Sequence, residues 1–99
     1  MQEKIQPFNI DAERSVLGSM LIDNEAISLV TEYLSKKDFY QKSHKHIFET
    51  IVNIYDKQNS VDLVILKDVL IKHSLLKKAG GVEYIMKLEE SVPSVSNVV

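Results

Sequence analysis

An all-α fold, a compact orthogonal bundle of five to six short helices, follows from three observations. Pro7 and Pro93 are the only prolines, so the long interval between them lacks the residue that breaks helices most effectively. Across that interval apolar residues recur at spacings of three and four. Each apolar run is short and bounded by polar connectors, which favours short helices packed across one another over a long four-helix bundle. With 99 residues, 44% of them hydrophobic and 26% charged, the chain suits a single core.

The elements follow in order. Residues 1–8 are largely polar and without periodicity and are expected to form a flexible arm ahead of a domain spanning 9–99. Helix one begins after Asn9, a good cap, with Asp11 and Glu13 in the first turn and the pairs Val16/Met20 and Leu17/Leu21 on one face. Helix two places Ala26, Ile27, Val30 and Leu34 on a stripe that Leu29 and Tyr33 are expected to widen, with Asn24 as its cap. The connector that follows holds Phe39 and Tyr40, aromatics expected to plug the core. Helix three carries His44, Ile47, Phe48, Ile51 and Tyr55 at helical spacing.

The run "VDLVIL" is rich in β-branched residues, but Leu66, Val69 and Leu70 extend its pattern at helical spacing. Asp62 supplies an N-cap, so helix four is expected to reach about Lys72. Gly80 and Gly81 make a turn. Helix five then carries Ile85 and Leu88 with Val82 and Met86 beside them, and Pro93 opens an incomplete sixth element.

Gly18 stands in the middle of helix one, where glycine costs about 1 kcal/mol relative to alanine. The expected reason is a close approach by another backbone, with helix three as the expected neighbour.

The chain contains no phosphate loop of the GxxxxGK[ST] type and no GxGxxG, and it has no cysteine. His44 and His46, two apart, point to different sides of a helix and do not suit a shared metal; His44 is expected to pack at the start of helix three and His46 to face solvent. Asp11, Glu13, Asp23 and Glu25 have a sufficient structural reason in capping and dipole compensation. Twelve Lys+Arg against 14 Asp+Glu give a net charge of -2, far from the basic balance of nucleic-acid modules. The alternative to an interaction module is a small nucleic-acid-binding domain using the pairs Lys36/Lys37 and Lys77/Lys78. No apolar run approaches a membrane span and none reads as a signal peptide, so a cytoplasmic location without membrane contact is expected.

The motifs "AERSVLGSML", "LSKKDFYQKSHKHIF", "SVDLVILKDVL", "LLKKAGGVEYIMKL" and "SVPSVSNVV" occur in that order. Together they resemble the N-terminal domain of the bacterial replicative helicase family, DnaB. Ala12, Glu13, Leu17 and Gly18 carry the first block; Asp38, Phe39, Tyr40, His44, Ile47 and Phe48 the second; Asp62, Leu63 and Val64 the third. Gly80, Gly81 and Tyr84 carry the fourth, and Pro93 and Asn97 the last. Ile65 departs from the threonine common in the family's third block, and the helical hairpin, linker and RecA-like motor domain of family members are missing. The resemblance therefore implies an excised, non-catalytic collar domain without a cofactor of its own. ATP and Mg are expected only in the missing motor of a parent that unwinds DNA. Implied partners are further copies of the chain (a hexamer for the parent, with monomer and dimer both open for the fragment), the primase C-terminal domain and a helicase loader, with little direct DNA binding.

Overall fold

The computed structural model describes residues 9–92; the arm at 1–8, Pro93 and Asn97 lie outside the described residues. Five α-helices run in order: α1 (Ile10–Ile22), α2 (Glu25–Tyr33), α3 (Lys42–Gln58), α4 (Leu63–Lys72) and α5 (Val82–Met86). Two 3₁₀ turns interrupt them, Lys36–Asp38 ahead of α3 and Leu88–Ser91 after α5. The described residues contain no strand, so "VDLVIL" is helical at the start of α4, as its spacing predicts.

Local chemistry accounts for most boundaries. Asn9 caps α1 by accepting the Ala12 N–H at 3.0 Å, and Asp62 caps α4 by accepting the Ile65 N–H at 2.9 Å. Asn59 takes the left-handed conformation (φ 62°) that ends α3. At the end of α4, Ser74 is left-handed (φ 59°) and the Leu75 N–H reaches back to the Leu70 carbonyl at 2.7 Å, the wrapping bond of a Schellman stop.

The core is one cluster. Leu17, Met20 and Leu21 of α1 meet Ile27 of α2, Ile47, Ile51 and Ile54 of α3, Leu66 and Leu70 of α4, and Ile85 and Leu88. Phe39 plugs this core and packs on Phe48, with ring centroids 4.9 Å apart. Tyr40 does not plug it: at 64% exposure it points outward, because adjacent residues of an extended connector face opposite ways.

Three further expectations are corrected. Helix five is a single short helix ending at Met86, and Leu88 enters the core from the 3₁₀ turn beyond it, while Val82 and Met86 stay exposed. His46 is half-buried rather than turned to solvent. Asn24 does not cap α2 but donates from Nδ2 to the Met20 and Val61 carbonyls and accepts the Val61 N–H at Oδ1, each at 2.9 Å. It thereby ties the α1–α2 corner to the segment entering α4. Asp23 accepts the Glu25 N–H at 3.1 Å in its place.

The neighbour of Gly18 is also different. A Cβ there would stand 2.5 Å from the Leu88 carbonyl oxygen and 2.7 Å from Val92 Cγ2. The backbone that crosses it belongs to the Leu88–Ser91 turn, the segment α1 packs against most extensively, and not to α3.

Candidate functional site

Three of the side chains that sequence reading singles out, Glu13, His44 and Tyr84, converge on one part-buried link. Glu13 projects from the first turn of α1 and accepts the Tyr40 N–H at 2.6 Å and the Gln41 N–H at 3.4 Å. These donors lie where the chain enters α3, so a carboxylate on one helix caps the approach to another. The same carboxylate receives His44 Nδ1 at 2.7 Å, and His44 Nε2 lies 2.5 Å from the Tyr84 hydroxyl.

An ionised carboxylate can only accept, so Nδ1 carries its hydrogen, and a neutral ring then offers Nε2 as acceptor to the tyrosine O–H. Phe39 stands edge-on to His44, at 6.4 Å and 83°, and the Tyr84 ring stacks on it at 5.9 Å and 17°. Burial pushes the Tyr84 hydroxyl above its ordinary pKa, and the nearby Arg14 guanidinium opposes that shift. Tyr84 also explains Gly80, which has φ 109° and whose Cβ would meet the Tyr84 ring at 2.7 Å.

This arrangement binds α1, α3 and α5 to one another. His44 has 0% exposure and no open face toward a substrate, which general acid–base chemistry requires. Among the described residues no group of three His, Cys, Asp or Glu side chains is placed to hold a metal ion.

The structure thus brings together Glu13, Phe39, His44 and Tyr84 from three of the sequence blocks. Leu17, Ile47 and Phe48 lie in the core beside them, Ala12 receives the Asn9 cap, and Asp38 closes a local turn by accepting the Ser35 N–H at 2.8 Å. Asp62 and Leu63 stand apart at the head of α4. Sequence reading assigned Glu13 to its own helix dipole and missed its reach to α3. Its position next to Ala12 carries no signal of which connector will approach it.

Two surface features complete the picture. A cleft of about 370 Å³ between α3 and α4 is lined by Asn53, Lys57, Gln58, Lys72 and His73 together with the apolar Ile54, Val69 and Leu75. On α2, Leu29 is 59% and Tyr33 77% exposed, so these two do not widen the core stripe but form a second, outward one. The lysine pairs are dispersed: Lys36 holds Glu49 at 3.2 Å, while Lys77 and Lys78 are exposed in the turn before α5.

Fold and site together define a small all-α domain organised around a part-buried Glu–His–Tyr link. The profile of the DnaB-like helicase N terminal domain matches residues 5–99, and the chain belongs to that family. It is 39% identical over 98 residues to the replicative DNA helicase DnaB of Treponema pallidum and 34% identical over 98 residues to the replicative DNA helicase DnaC of Bacillus subtilis. In each case the match takes in 99% of this chain and 22% of the relative's length. The fold is similar to the crystal structure of the N-terminal domain of DnaB helicase from Mycobacterium tuberculosis, with a TM-score of 0.84 and 35% identity. That alignment covers 92% of this chain and 66% of the other.

Proposed function

We propose that this domain is a non-catalytic oligomerisation and protein-interaction module, the N-terminal collar of a hexameric replicative helicase, and that it helps to recruit primase at the replication fork. The observation that carries the reading is the family match across nearly the whole chain, at 34 to 39% identity to replicative helicases. The physics agrees with it. Glu13, His44 and Tyr84 hold the domain's own helices together, while large apolar side chains on α2, α4 and α5 face outward, as docking surfaces do.

In this reading unwinding is the work of a motor outside the 99 residues, where ATP and Mg would bind. The three glycines here, Gly18, Gly80 and Gly81, serve helix crossing and a turn. The module works in the cytoplasm, and its partners are its own copies, the C-terminal domain of primase and a helicase loader.

Calorimetric titration of the chain with the primase C-terminal domain, with sedimentation of each alone, tests the proposal. A saturable complex is expected. No complex and a strictly monomeric chain at high concentration would refute both roles. Anisotropy with single-stranded DNA at low and moderate salt tests the alternative, which requires binding that weakens steeply with salt.

A further inference from the structure

Helix α2 has two apolar faces. Ile27, Val30 and Leu34 follow helical spacing and turn inward, Ile27 into the core cluster and Val30 and Leu34 packed against it. Leu29 and Tyr33, four apart, share the other face and are among the most exposed large apolar side chains of the domain. Ile22, the last residue of α1, is exposed at the adjoining corner. A helix whose sole purpose was to close the core would have polar residues there.

The charges beside this stripe are of one sign. Between Arg14 and Lys36 the chain carries Asp23, Glu25 and Glu32 and no basic residue. Glu25 lies four residues before Leu29 and Glu32 three after it, so both carboxylates flank the same face. Neither side chain has a hydrogen-bond or ion-pair partner among the described residues. Glu25 sits in the first turn, where the helix dipole favours it. Glu32 sits in the last turn, where the dipole disfavours it and no basic residue offsets it, so the helix itself gives no reason for this carboxylate.

We propose that the outer face of α2 is a docking stripe for a basic amphipathic helix of a partner protein, with Leu29 and Tyr33 as apolar anchors and Glu25 and Glu32 as the charges that select Lys or Arg on the partner. Charge complementarity picks the occupant: an acidic or neutral helix would leave two carboxylates facing its flank unpaired. A helical partner fits because the stripe follows helical spacing and the described residues offer no strand edge for an extended peptide. The inference rests on the reading of the domain as an interaction module and names one surface that such a module would use.

The test uses two synthetic helical peptides of about 18 residues, one with a leucine stripe flanked by lysines and the other with the same stripe flanked by glutamates. Each is titrated into the isotopically labelled 99-residue chain and followed by amide NMR shifts. The lysine-flanked peptide is expected to move resonances of residues 22–33 and to bind more weakly as salt rises. Leu29→Ser/Tyr33→Ser should weaken binding by about tenfold or more. The double variant Glu25→Lys/Glu32→Lys should prefer the glutamate-flanked peptide, a reversal that loss of folding cannot imitate. Shifts centred away from α2, equal binding of both peptides, a preference unmoved by the charge swap, or self-association through α2 would each overturn the proposal. Primase is absent from this experiment, so the docking stripe and the primase role fail separately.

Discussion

Alanine at Gly18 sets two effects of opposite sign against each other. The substitution removes a mid-helix glycine, which by itself stabilises by about 1 kcal/mol. It also places a methyl group 2.5 Å from the Leu88 carbonyl oxygen. Carbon–oxygen contacts of this kind settle near 3.3 Å, so the crossing turn must retreat by about 0.8 Å. The nearest obstacle is backbone, which has no alternative rotamer, and Val92 Cγ2 at 2.7 Å crowds the same methyl position. Overpacking of a filled interior costs about 1–3 kcal/mol, and a backbone obstacle puts this site at or above the upper end. The net expectation is a loss of about 2 kcal/mol. For a domain of this size each kcal/mol moves Tm by about 4–8 °C, so Gly18→Ala should melt about 8–16 °C lower. Thermal unfolding followed by circular dichroism at 222 nm reads this directly. A melting temperature equal to or above that of the parent chain would show that the turn yields freely and that the crossing is not the reason for the glycine.

Three further substitutions probe other joints. Tyr84→Phe leaves His44 Nε2 without its partner and should lose about 1–3 kcal/mol in urea unfolding near neutral pH. The raised Tyr84 pKa means that its neutral form is favoured in the folded state. That contribution is complete below the ordinary tyrosine value of 10.0 and is lost as pH rises from there through the raised folded value. The parent should therefore weaken in that range by more than Tyr84→Phe does, and parallel curves would sink the assignment. Asn24→Ala strands the N–H and carbonyl of buried Val61 and should cost about 1–3 kcal/mol, with faster amide exchange at the start of α4 as the local signature. Ser74→Gly relieves a left-handed serine and should stabilise by about 0.5–1 kcal/mol, seen as a higher urea midpoint.

Much of the fold was legible in the chain because helical spacing and caps are local. The stripe from Ile47 to Tyr55 and the Asn9 and Asp62 caps depend on residues within a few positions of one another, and they stand where the spacing puts them. What was not legible depends on which segments meet. Leu29 and Tyr33 obey the same period as Ile27 and Val30, and periodicity alone does not say which of two apolar faces the core will take. Glu13 has a complete local reason to exist in the first turn of α1, which hides its service to α3. Asn24 has the chemistry of a cap, yet Val61 lies within its reach only after the corner and α4 have come together. The family resemblance collected Glu13, His44 and Tyr84 without saying that they touch.

The hydrogen bond from Ser15 to the Ser91 carbonyl spans 76 positions in sequence, and it belongs to the same seam in which Leu88 crosses Gly18. On the ribosome α1 is therefore synthesised well before the turn it packs against most extensively. Until residue 92 has left the exit tunnel, the side of α1 that holds Ser15 and Gly18 lacks the turn that packs on it, and α1 must wait with that surface open to chaperones or to misassembly. Joining segments so far apart also leaves a non-local closure step for late in folding, so ending the chain before Leu88 should loosen α1 rather than the helices nearer the cut.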